Sequence, residues 1–467
     1  MKMLVAFLSA GALLTGCVSA DVLFSSPTMK AKGPAPAPPE PRLDTVHQSP
    51  PKLERRDYDR DKTVVSLTFD DGNASQHEAV KILDEIELEG TFYVNSSVLD
   101  SPGYFSRAQL DAMANTGHEI AGHGVQHRNL SDLEPVETVR QICMDRKNLS
   151  NWGYQVTSFA FPEAGSNPAI EQAVADCGYN SARGLGGIES VTGCEGCGYA
   201  ESFDPKNIWH TLAPAMVDAD WTVEDMQNLV LNAEENGGGW IQITFHHLCP
   251  SSCNEISVQT EDFAQFVSWL KDREQKTGTV VRTVDEVVGG PIRPIVDEPE
   301  LPANTEGNLV VNSGFSEQPR GDDFSRCWQA AGYGKNNGHA RVEPKATNDS
   351  DGVRLEITNY RDGDFKFLQR LDLGECATQI IPGERYEMKA TYSATTTAQF
   401  VLYLRDPQGD WLYWTASDWL APTDAAKEAV WVAPAIPEGF TGLSFGLSLF
   451  SEGILHADDV EMSVYSD

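Results

Sequence analysis

Between residues 63 and 290 the chain changes repeatedly from strand-like to helix-like hydrophobic patterns. Val64–Phe69 is rich in β-branched and aromatic residues, and the next segment places Val80, Leu83 and Ile86 on one helical face. Further strand-like segments lie at 90–95, 119–123, 157–161, 180–183 and 240–245. Repeated strand–helix units predict parallel strands, and this number of units predicts barrel-like closure over residues 63–290.

A different period begins after a linker at residues 291–307, which is rich in Pro, Asp and Glu. From Asn308 onward apolar residues recur at every second position, as at Val353, Leu355 and Ile357. Turn sequences separate these segments. The pattern predicts an antiparallel, all-β sandwich over residues 308–467.

Charge and composition exclude several classes of protein. The chain has 69 acidic and 35 basic side chains and a net charge of −34, so it would repel the phosphates of nucleic acids. Hydrophobic residues make up 40% of the 467 residues, which excludes a mainly disordered chain. The only long apolar run lies at the N-terminus, which excludes a polytopic membrane protein. The sequence leaves the oligomeric state open.

The N-terminus has the features of an export signal. Lys2 precedes an apolar segment, Leu4–Leu14, that is too short to span a bilayer. The segment ends in Leu14-Thr15-Gly16-Cys17, which resembles the processing site of bacterial lipoproteins. Residues 1–17 therefore predict cleavage before Cys17 and acylation of that cysteine, which would anchor the chain to a membrane. An ordinary signal peptide is the alternative.

Residues 18–62 are predicted to be a tether. The segment 33–41 contains five prolines, which is typical of a polyproline-type spacer. We therefore expect an exported, lipid-anchored protein of the periplasm or cell surface. Val18, rather than Asp, follows the cysteine, which favours the outer membrane.

Removing Cys17 from the nine cysteines leaves an even set, which predicts disulfides in an exported chain. Cys143 and Cys177 lie on predicted helices before and after the strand 157–161, so neighbouring helices would bring them together. We predict Cys143–Cys177 and, within the sandwich, Cys327–Cys376. Local and crossed pairings stay open for Cys194, Cys197, Cys249 and Cys253. Structural zinc at the two short-spaced pairs is the alternative.

Three polar segments follow predicted strands, at the end that forms the catalytic face of a βα barrel. The first is Asp70-Asp71-Gly72, where the glycine permits a sharp turn so that both carboxylates line one site. The second spaces His123 and His127 so that both reach one metal ion if the chain turns helically after the first. The third is His246-His247. Together, at one end of a barrel, the three segments predict a catalytic site.

These segments also carry a resemblance. TFDDG at 68–72, GHEIAGHGVQH at 117–127, SFAFPEAG at 158–165 and WIQITFHH at 240–247 follow the order of motifs in polysaccharide deacetylases. Residues 63–290 thus resemble that family, the NodB homology domain of carbohydrate esterase family 4. The resemblance implies a distorted (β/α)7 barrel and metal-dependent removal of acetyl groups from carbohydrate, usually from N-acetylated sugars.

The resemblance implies a role for each matched residue. Asp70 corresponds to the catalytic base, His246 to the catalytic acid, and the backbone N–H of Glu163 to a donor for the oxyanion. The metal triad corresponds to Asp71, His123 and His127. Zn²⁺ is the expected metal, with Co²⁺, Ni²⁺ or Mn²⁺ as alternatives.

The chain departs from the family pattern in its third motif. Where many members have Arg-x-Pro, this chain has Ala160-Phe161-Pro162, of which Phe161 and Pro162 are predicted to contact substrate. Arg183 ends the next predicted strand. We predict that it replaces the missing guanidinium through a bidentate contact with Asp70. A packing role for Arg183 is the alternative.

The second and fourth motifs also differ from the family. Gly124 stands where Ser or Thr commonly follows the first His. In the family, the fourth motif contains an Asp that tunes the catalytic His and a Trp that lines the pocket. In this chain these two residues have only candidate matches. These candidates are Asp218, Asp220-Trp221 and Trp209-His210. His247 is expected to have a supporting or structural role.

The predicted sandwich is similar to jelly-roll carbohydrate-binding modules. Trp411 and Trp414 lie near one predicted turn with Tyr413 and Trp419, and sugar faces stack on such rings. We predict Trp411 and Trp414 as ligand platforms, with core packing as the alternative. Asp458-Asp459 is predicted to help hold a structural Ca²⁺.

We therefore expect a metal-dependent carbohydrate deacetylase whose partners are an acetylated glycan and, through its lipid anchor, a membrane. An O-acetyl esterase acting on a polymer such as xylan would need the same catalytic residues. A non-catalytic glycan-binding lipoprotein on a degenerate barrel is an alternative of another class. The set of Asp70, Asp71, His123, His127 and His246 argues against it.

Overall fold

The computed structural model describes residues 52–53, 62–251, 253–300, 306–347 and 350–466. These residues belong to one compact unit. The predicted signal peptide 1–17 with Cys17, and most of the predicted tether 18–62, lie outside the described residues. Within the described part, no helix is long and apolar enough to cross a membrane.

Short, buried strands form the centre of the first half of the chain. They are rich in Val, Ile, Phe and Thr, which suit a pleated surface covered on both sides. The strands are β1 (Lys52–Leu53), β2 (Thr63–Phe69), β3 (Thr91–Val94), β4 (Glu119–Gly122), β5 (Ser158–Ala160), β6 (Ser181–Arg183), β7 (Gly239–Phe245), β8 (His247–Cys249), β9 (Ser257–Gln259), β10 (Val280–Val281) and β11 (Gly290–Pro291).

Seven of these strands, β2 to β7 and β10, form one parallel sheet. β2 pairs with β7 over its whole length, from Thr63 opposite Gly239 to Phe69 opposite Phe245. Its other edge pairs with β3 and with the short β10. Between β6 and β7 lie the irregular residues 184–222, and isolated bridges join this segment to Arg183 of β6 and to Trp240 of β7. The predicted distorted (β/α) barrel is confirmed, and this gap is its main distortion.

Helices flank the sheet and bury one apolar face each, as in any βα arrangement. Ser106 and Thr222 begin their helices with capping boxes, in which side chain and backbone satisfy each other. The helices are α1 (His77–Glu85), α2 (Arg107–Asn115), α3 (Pro135–Asn151), α4 (Pro168–Asp176), α5 (Val223–Glu235), α6 (Thr260–Lys276) and α7 (Val284–Val288). Short 3-10 turns lie at Ala74–Gln76, Leu130–Asp132 and Pro162–Ala164.

The second half of the chain consists of strands alone. They are β12 (Trp328–Tyr333), β13 (Asn337–Thr347), β14 (Ser350–Thr358), β15 (Asp364–Gln369), β16 (Thr378–Gln379), β17 (Tyr386–Ala394), β18 (Ala398–Arg405), β19 (Trp411–Ala416), β20 (Thr423–Val432), β21 (Gly442–Leu449) and β22 (Gly453–Val464). Burial alternates strictly along β17, as expected for a sheet with one face in a core.

Two antiparallel sheets enclose the core of this half. One has the order β13-β14-β22-β17-β20. The other has the order β12-β15-β21-β18-β19, and β16 also pairs with β21. Leu355 and Met388 of the first sheet and Phe400 and Phe445 of the second are buried in one cluster. The predicted β-sandwich is confirmed.

The sandwich packs against the barrel beside the loop that follows β4. Leu373 of the sandwich joins Val125 and Met144 of the barrel in a buried cluster. Next to it, the Gln126 side chain donates to the carbonyl oxygen of Gly409 over 3.1 Å. The sandwich therefore directly contacts the loop that contains both predicted metal-binding histidines.

The eight described cysteines form four disulfides. Cys143–Cys177 and Cys327–Cys376 are the two pairs that the sequence predicted. The cysteines left open pair locally, as Cys194–Cys197 and Cys249–Cys253. These short-spaced cysteines are therefore bonded to each other, which contradicts the structural-zinc alternative.

We expect the Cys143–Cys177 disulfide to stabilise the fold more than Cys194–Cys197, because it closes a longer loop. The sequence separations are 34 and 3 residues. Replacing both cysteines of a pair by Ser should lower the free energy of unfolding by roughly 4 kcal/mol for the first and roughly 2 kcal/mol for the second. Denaturant unfolding of the two double variants measures this difference. Free thiols at Cys143 or Cys177 in the wild-type protein would contradict the assignment.

Candidate active site

The chain turns sharply where β2 ends, and this turn places two adjacent carboxylates at the barrel mouth. Asp71 has a φ of +75° and Gly72 a φ of +73°, both in the left-handed region. Glycine adopts this conformation without steric cost, whereas Asp71 is held there by its surroundings. Asp70 is buried and Asp71 half-buried. The turn expected at Gly72 is present.

Asp71, His123 and His127 converge on one point. Asp71 Oδ1 lies 3.4 Å from His123 Nε2 and 3.1 Å from His127 Nε2. Burial raises the pKa of Asp71, but the adjoining imidazoles of His123 and His127 more than offset this and hold the pKa far below its usual value. Asp71 is therefore an anionic ligand group between two nitrogen donors.

This donor set fits a divalent metal ion. His123 Nδ1 lies 2.8 Å from the carbonyl oxygen of Ala160, which can only accept, so Nδ1 carries the proton and Nε2 keeps its lone pair. The side-chain amide of Asn73 donates to Asp71 Oδ2 over 3.2 Å, which leaves Oδ1 facing the imidazoles. One ligand atom from each of the three residues lies within 4.8 Å of the others.

Both histidines approach Asp71 although no helical turn lies between them. The loop between them is irregular, with a φ of +77° at Gly124 and of +48° at His127. A Cβ at position 124 would meet only Pro162 and the backbone of Gln141, at ordinary contact distances. The backbone conformation, rather than lack of space, therefore favours glycine where the family commonly has Ser or Thr.

Two buried side chains hold this loop from opposite sides. Asp145, on α3, accepts the backbone N–H groups of His123 and Gly124 through Oδ2 and that of Ser96 through Oδ1, each over 3.0 Å. Asn95 donates to the carbonyl oxygens of His123 and Gly124 over 2.6 and 2.9 Å. Neither residue was identified from the sequence. The only feature of the sequence that pointed to either residue is the position of Asn95 directly after a strand.

Arg183 and Asp70 form a buried ion pair next to the three candidate metal ligands. Arg183 Nη2 lies 2.5 Å from Asp70 Oδ2, and the two side chains are 1% and 3% exposed. The second terminal nitrogen, Nη1, donates to the hydroxyl of Thr244, and the guanidinium lies 5.2 Å from the ring centroid of Tyr93. The predicted contact is present, but it is single rather than bidentate because Thr244 takes the other nitrogen.

His246 follows β7, beside Asp70. The side-chain amide of Gln76 donates to the carbonyl oxygens of both Asp70 and His246 and so ties the two strand ends together. Burial lowers the pKa of His246, although the charges of Asp70 and Asp71 oppose this. No described residue hydrogen-bonds His246 Nδ1. His247 lies with Nδ1 3.0 Å from Ser75 Oγ, as expected for a supporting residue.

Among the described residues, none of the candidates for the fourth family motif hydrogen-bonds Nδ1 of His246. The Asp218 carboxylate accepts the backbone N–H of Asp220 over 2.9 Å. Trp221 is buried in the barrel core, and its indole N–H donates to Thr192. His210 stacks on Phe161, with ring centroids 5.9 Å apart.

The third motif forms the 3-10 turn Pro162–Ala164. Glu163 has a φ of +52°, and its carboxylate accepts from Asn129 over 3.3 Å. The oxyanion role of its N–H stays a prediction. Phe161 is 2% exposed and Pro162 is buried, so the structure does not favour the substrate contact predicted for these two side chains.

The sandwich residues singled out from the sequence are occupied by internal contacts. Trp414 packs against the sandwich core, which does not favour a platform role. The indole N–H of Trp411 donates to the carbonyl oxygen of Asp372. Asp458 and Asp459 belong to no cluster of three or more potential metal ligands within the described ranges, so the predicted Ca²⁺ site lacks support.

Comparison with known proteins agrees with this site. Residues 57–182 match the polysaccharide deacetylase family. The matched segment contains Asp70, Asp71, His123 and His127 but ends before Arg183 and His246. The roles of the last two residues therefore depend on geometry and on the motif order alone.

Two curated relatives are similar over part of their length. A protein of Arthroderma benhamiae named "Probable peptidoglycan-N-acetylglucosamine deacetylase" is 30% identical over 122 residues, which are 26% of this chain and 28% of that protein. An uncharacterized protein of Streptomyces coelicolor is 29% identical over 166 residues, which are 35% of this chain and 62% of that protein. The chain thus spans less than two-thirds of the length of either relative.

Among solved structures, a family 4 acetyl xylan esterase from Clostridium thermocellum in complex with cobalt has a TM-score of 0.33 and 20% identity. The match covers 48% of this chain and 90% of that chain. A family 4 carbohydrate esterase from Streptomyces lividans in complex with acetate has the same TM-score, with 15% identity over 50% of this chain and 98% of that one.

We expect Arg183→Lys to impair catalysis without removing the metal site. A lysine supplies one point charge and cannot contact Asp70 and Thr244 in the planar arrangement of a guanidinium. The turnover rate should fall by at least about tenfold because the carboxylate loses its fixed orientation. Steady-state kinetics and metal content of the purified variant measure the two effects. An unchanged rate would show that Arg183 only packs.

We expect Asp145→Asn to loosen the loop that carries His123. The side-chain amide would place an NH₂ group opposite backbone N–H groups that now donate to the carboxylate. At least one of these buried donors would then lack an acceptor, which costs about 1–3 kcal/mol. Metal affinity should fall, and the melting temperature should drop. Titration with Zn²⁺ and thermal unfolding measure these changes, and Asp176→Asn at the exposed end of α4 is the control. Wild-type metal affinity in Asp145→Asn would contradict the account of this loop.

Proposed function

We propose that this chain is a metal-dependent hydrolase that removes acetyl groups from an acetylated polysaccharide or oligosaccharide, of the N-acetylhexosamine type. The proposal is carried by one observation. The Asp71–His123–His127 cluster lies beside the buried Asp70–Arg183 pair at the mouth of a parallel barrel. The family match over residues 57–182 supports it.

Asp71, His123 and His127 would hold the metal ion, and Zn²⁺ is the ion that one carboxylate and two imidazoles with open positions favour. When bound, a divalent ion supplies Lewis-acid polarisation of a water molecule and of the acetyl carbonyl. The Ala160 carbonyl fixes the tautomer of His123, and Asp145 and Asn95 fix its backbone. The chain thus presents its ligands with little freedom to reorganise.

Asp70 acts as the base that takes a proton from the attacking water. Its carboxylate is buried, and Arg183 stands 2.5 Å away and fixes its orientation. The contact with Arg183 uses one oxygen of Asp70, and its other oxygen, Oδ1, is hydrogen-bonded by no described residue. A free oxygen on an oriented carboxylate is what a general base needs.

His246 acts as the acid that protonates the leaving nitrogen. It lies at the end of β7, the strand that pairs with β2 along its whole length. The backbone N–H of Glu163 would donate to the oxyanion that forms when water attacks the acetyl carbon. Base and acid thereby stand on neighbouring strands, so water activation and leaving-group protonation occur in one cleft.

The proposal predicts metal-dependent acetate release from N-acetylglucosamine oligomers. A chelator should abolish the activity, and added Zn²⁺ should restore it. His127→Ala should lose both metal and activity. Asp70→Asn should keep the metal and lose roughly 10²–10⁴-fold in turnover rate, the contribution of general-base catalysis. Acetate assays and metal analysis of the folded variants measure these effects.

Each alternative has its own outcome in these assays. Acetate released from acetylated xylan but not from N-acetylglucosamine oligomers would replace the proposed substrate by an O-acetyl ester. Binding of glycan without acetate release from either substrate would favour the non-catalytic alternative. Loss of metal in Asp70→Asn would mean that the two aspartates have exchanged roles.

We further propose that the chain is exported and anchored through acylated Cys17, with the outer membrane as the favoured location. Four disulfides support an oxidising compartment. The wild-type chain should partition with membranes and incorporate labelled palmitate, whereas Cys17→Ser should not be labelled. Labelling of the variant equal to the wild type would contradict anchoring at this residue.

A further inference from the structure

The two candidate histidine ligands are held in different ways. The side chain of His123 is 2% exposed and that of His127 is 36% exposed. The backbone N–H of His123 donates to Asp145, inside the barrel. Among the described residues, His127 makes no backbone–backbone hydrogen bond, and its φ of +48° lies in the left-handed region. The position of His127 therefore depends on what holds the residues on either side of it, Gln126 and Arg128.

Gln126, directly before His127, is fixed between helix α3 and the sandwich. Its backbone N–H donates to Gln141 Oε1 over 3.0 Å, and Gln141 Nε2 donates to Gln126 Oε1 over 2.9 Å. The side-chain nitrogen of Gln126 donates to the carbonyl oxygen of Gly409 over 3.1 Å. One side chain thus uses its oxygen on the barrel and its nitrogen on the sandwich.

Helix α3 receives a second contact from the sandwich. The backbone N–H of Leu373 donates over 2.8 Å to Glu137 Oε1, which also accepts from Gln141 Nε2 over 3.2 Å. Glu137 and Leu373 are both buried. A continuous path of hydrogen bonds therefore leads from the sandwich, through Glu137 and Gln141, to Gln126.

The sandwich turn that contains Gly409 fits closely against this loop. Gly409 has a φ of +91°, and a Cβ at this position would come within 2.8 Å of Val125 Cγ1 and of Leu373 Cδ2. Both the backbone conformation and the available space therefore favour glycine here. The side chain of Asn148, on α3, donates to the carbonyl oxygen of Gln408 over 2.8 Å. These contacts seat the turn on the barrel.

Arg128, directly after His127, reaches the sandwich without an intermediate. Its Nη2 donates to Gln329 Oε1 over 3.3 Å and to the carbonyl oxygen of Leu371 over 3.5 Å. Gln329 Oε1 also accepts the backbone N–H of Leu371 over 3.1 Å, which fixes its orientation within the sandwich. A planar guanidinium suits a position where the acceptors are already in place.

We propose that the sandwich is a positioning part of the metal site and sets the place of the candidate ligand His127. Gly409 holds the residue before this histidine, and Gln329 holds the residue after it. Neither sandwich residue touches the three ligand side chains, so both act through the loop. Groups that orient a metal ligand commonly change metal affinity about 10–100-fold when they are removed. This inference rests on the metal site of the proposed function.

The test measures the Zn²⁺ affinity of the full chain by competition with a chromophoric chelator. Gln329→Ala removes an acceptor for Arg128 and should raise the dissociation constant for Zn²⁺ about tenfold. Gln329→Glu keeps an oxygen at the same place and should bind Zn²⁺ as the wild type does. Arg320→Ala is the matched control, because it removes another ion pair between sandwich and barrel, with Glu134, that does not involve the loop. This control should keep wild-type affinity.

A double-mutant cycle shows whether Arg128 and Gln329 act through one contact. The variant with both Arg128→Ala and Gln329→Ala should bind Zn²⁺ about as weakly as Arg128→Ala alone, because each substitution breaks the same link. Losses that add up in the double variant would overturn the inference. The same loss of affinity in Arg320→Ala would also overturn it, since any weakening of the domain contact would then suffice.

Hydrogen exchange of the full chain without metal separates this inference from the proposed function. The backbone N–H groups of Val125 and Gln126 now donate to Gln141. In Gln329→Ala a peptide spanning residues 123–129 should exchange faster, whereas β4 should exchange as in the wild type. If the wild type bound Zn²⁺ and Gln329→Ala bound it equally well, the inference would be overturned and the proposed function untouched. If the wild type bound no Zn²⁺ but Gln329→Ala exchanged faster in this peptide, the proposed function would fail and the positioning of His127 by the sandwich would stand.

Discussion

The guanidinium of Arg183 is the interaction on which the candidate site depends most. It comes from β6, pairs with Asp70 at the end of β2, donates to Thr244 near the end of β7 and lies over Tyr93 of β3. One buried cation thus joins the ends of four strands at the barrel mouth. An unpaired charge there would cost several kcal/mol, so Arg183 and Asp70 require each other.

The candidate metal ligands depend on a second set of buried contacts. Asp145 and Asn95 bond all four backbone polar groups of His123 and Gly124 and hold a loop that has no regular structure of its own. Burial raises the pKa of Asp145 to about 7, and its three backbone donors oppose that rise. The sandwich adds support on the outside, where Leu373 packs on Val125. The two halves of the chain therefore share the loop that the proposed chemistry needs.

Much of this arrangement could be predicted from the sequence, because strand ends and ligand types have local signals. The Asp-Asp-Gly turn, the two histidines and the β-branched strands are all visible in short segments. The Arg183–Asp70 contact was predicted from strand order. That it is a single rather than a bidentate contact depends on Thr244, which no sequence pattern indicated. Asp145 and Gln76 act only through backbone groups that are distant in sequence, and such partners cannot be found without the fold. The spacing of His123 and His127 would allow them to meet through a helical turn, but loop contacts set a different backbone there.

The sandwich shows the same limit. Its alternating pattern predicted strands and two sheets, but not which aromatic rings would face outward. Trp414 packs inward, whereas Tyr333 and Tyr413, which lie on different strands, are more than half exposed. Which rings face outward depends on strand order in the sheet, and that order is not encoded in any local segment.

A crystal structure of the Zn²⁺-loaded protein with anomalous diffraction data at the zinc edge would test the central claim most directly. The account predicts one strong anomalous peak between Asp71 Oδ1, His123 Nε2 and His127 Nε2, with Asp70 outside the coordination shell and still paired with Arg183. A peak coordinated by Asp70, or a zinc-loaded protein with no peak at these three residues, would contradict it.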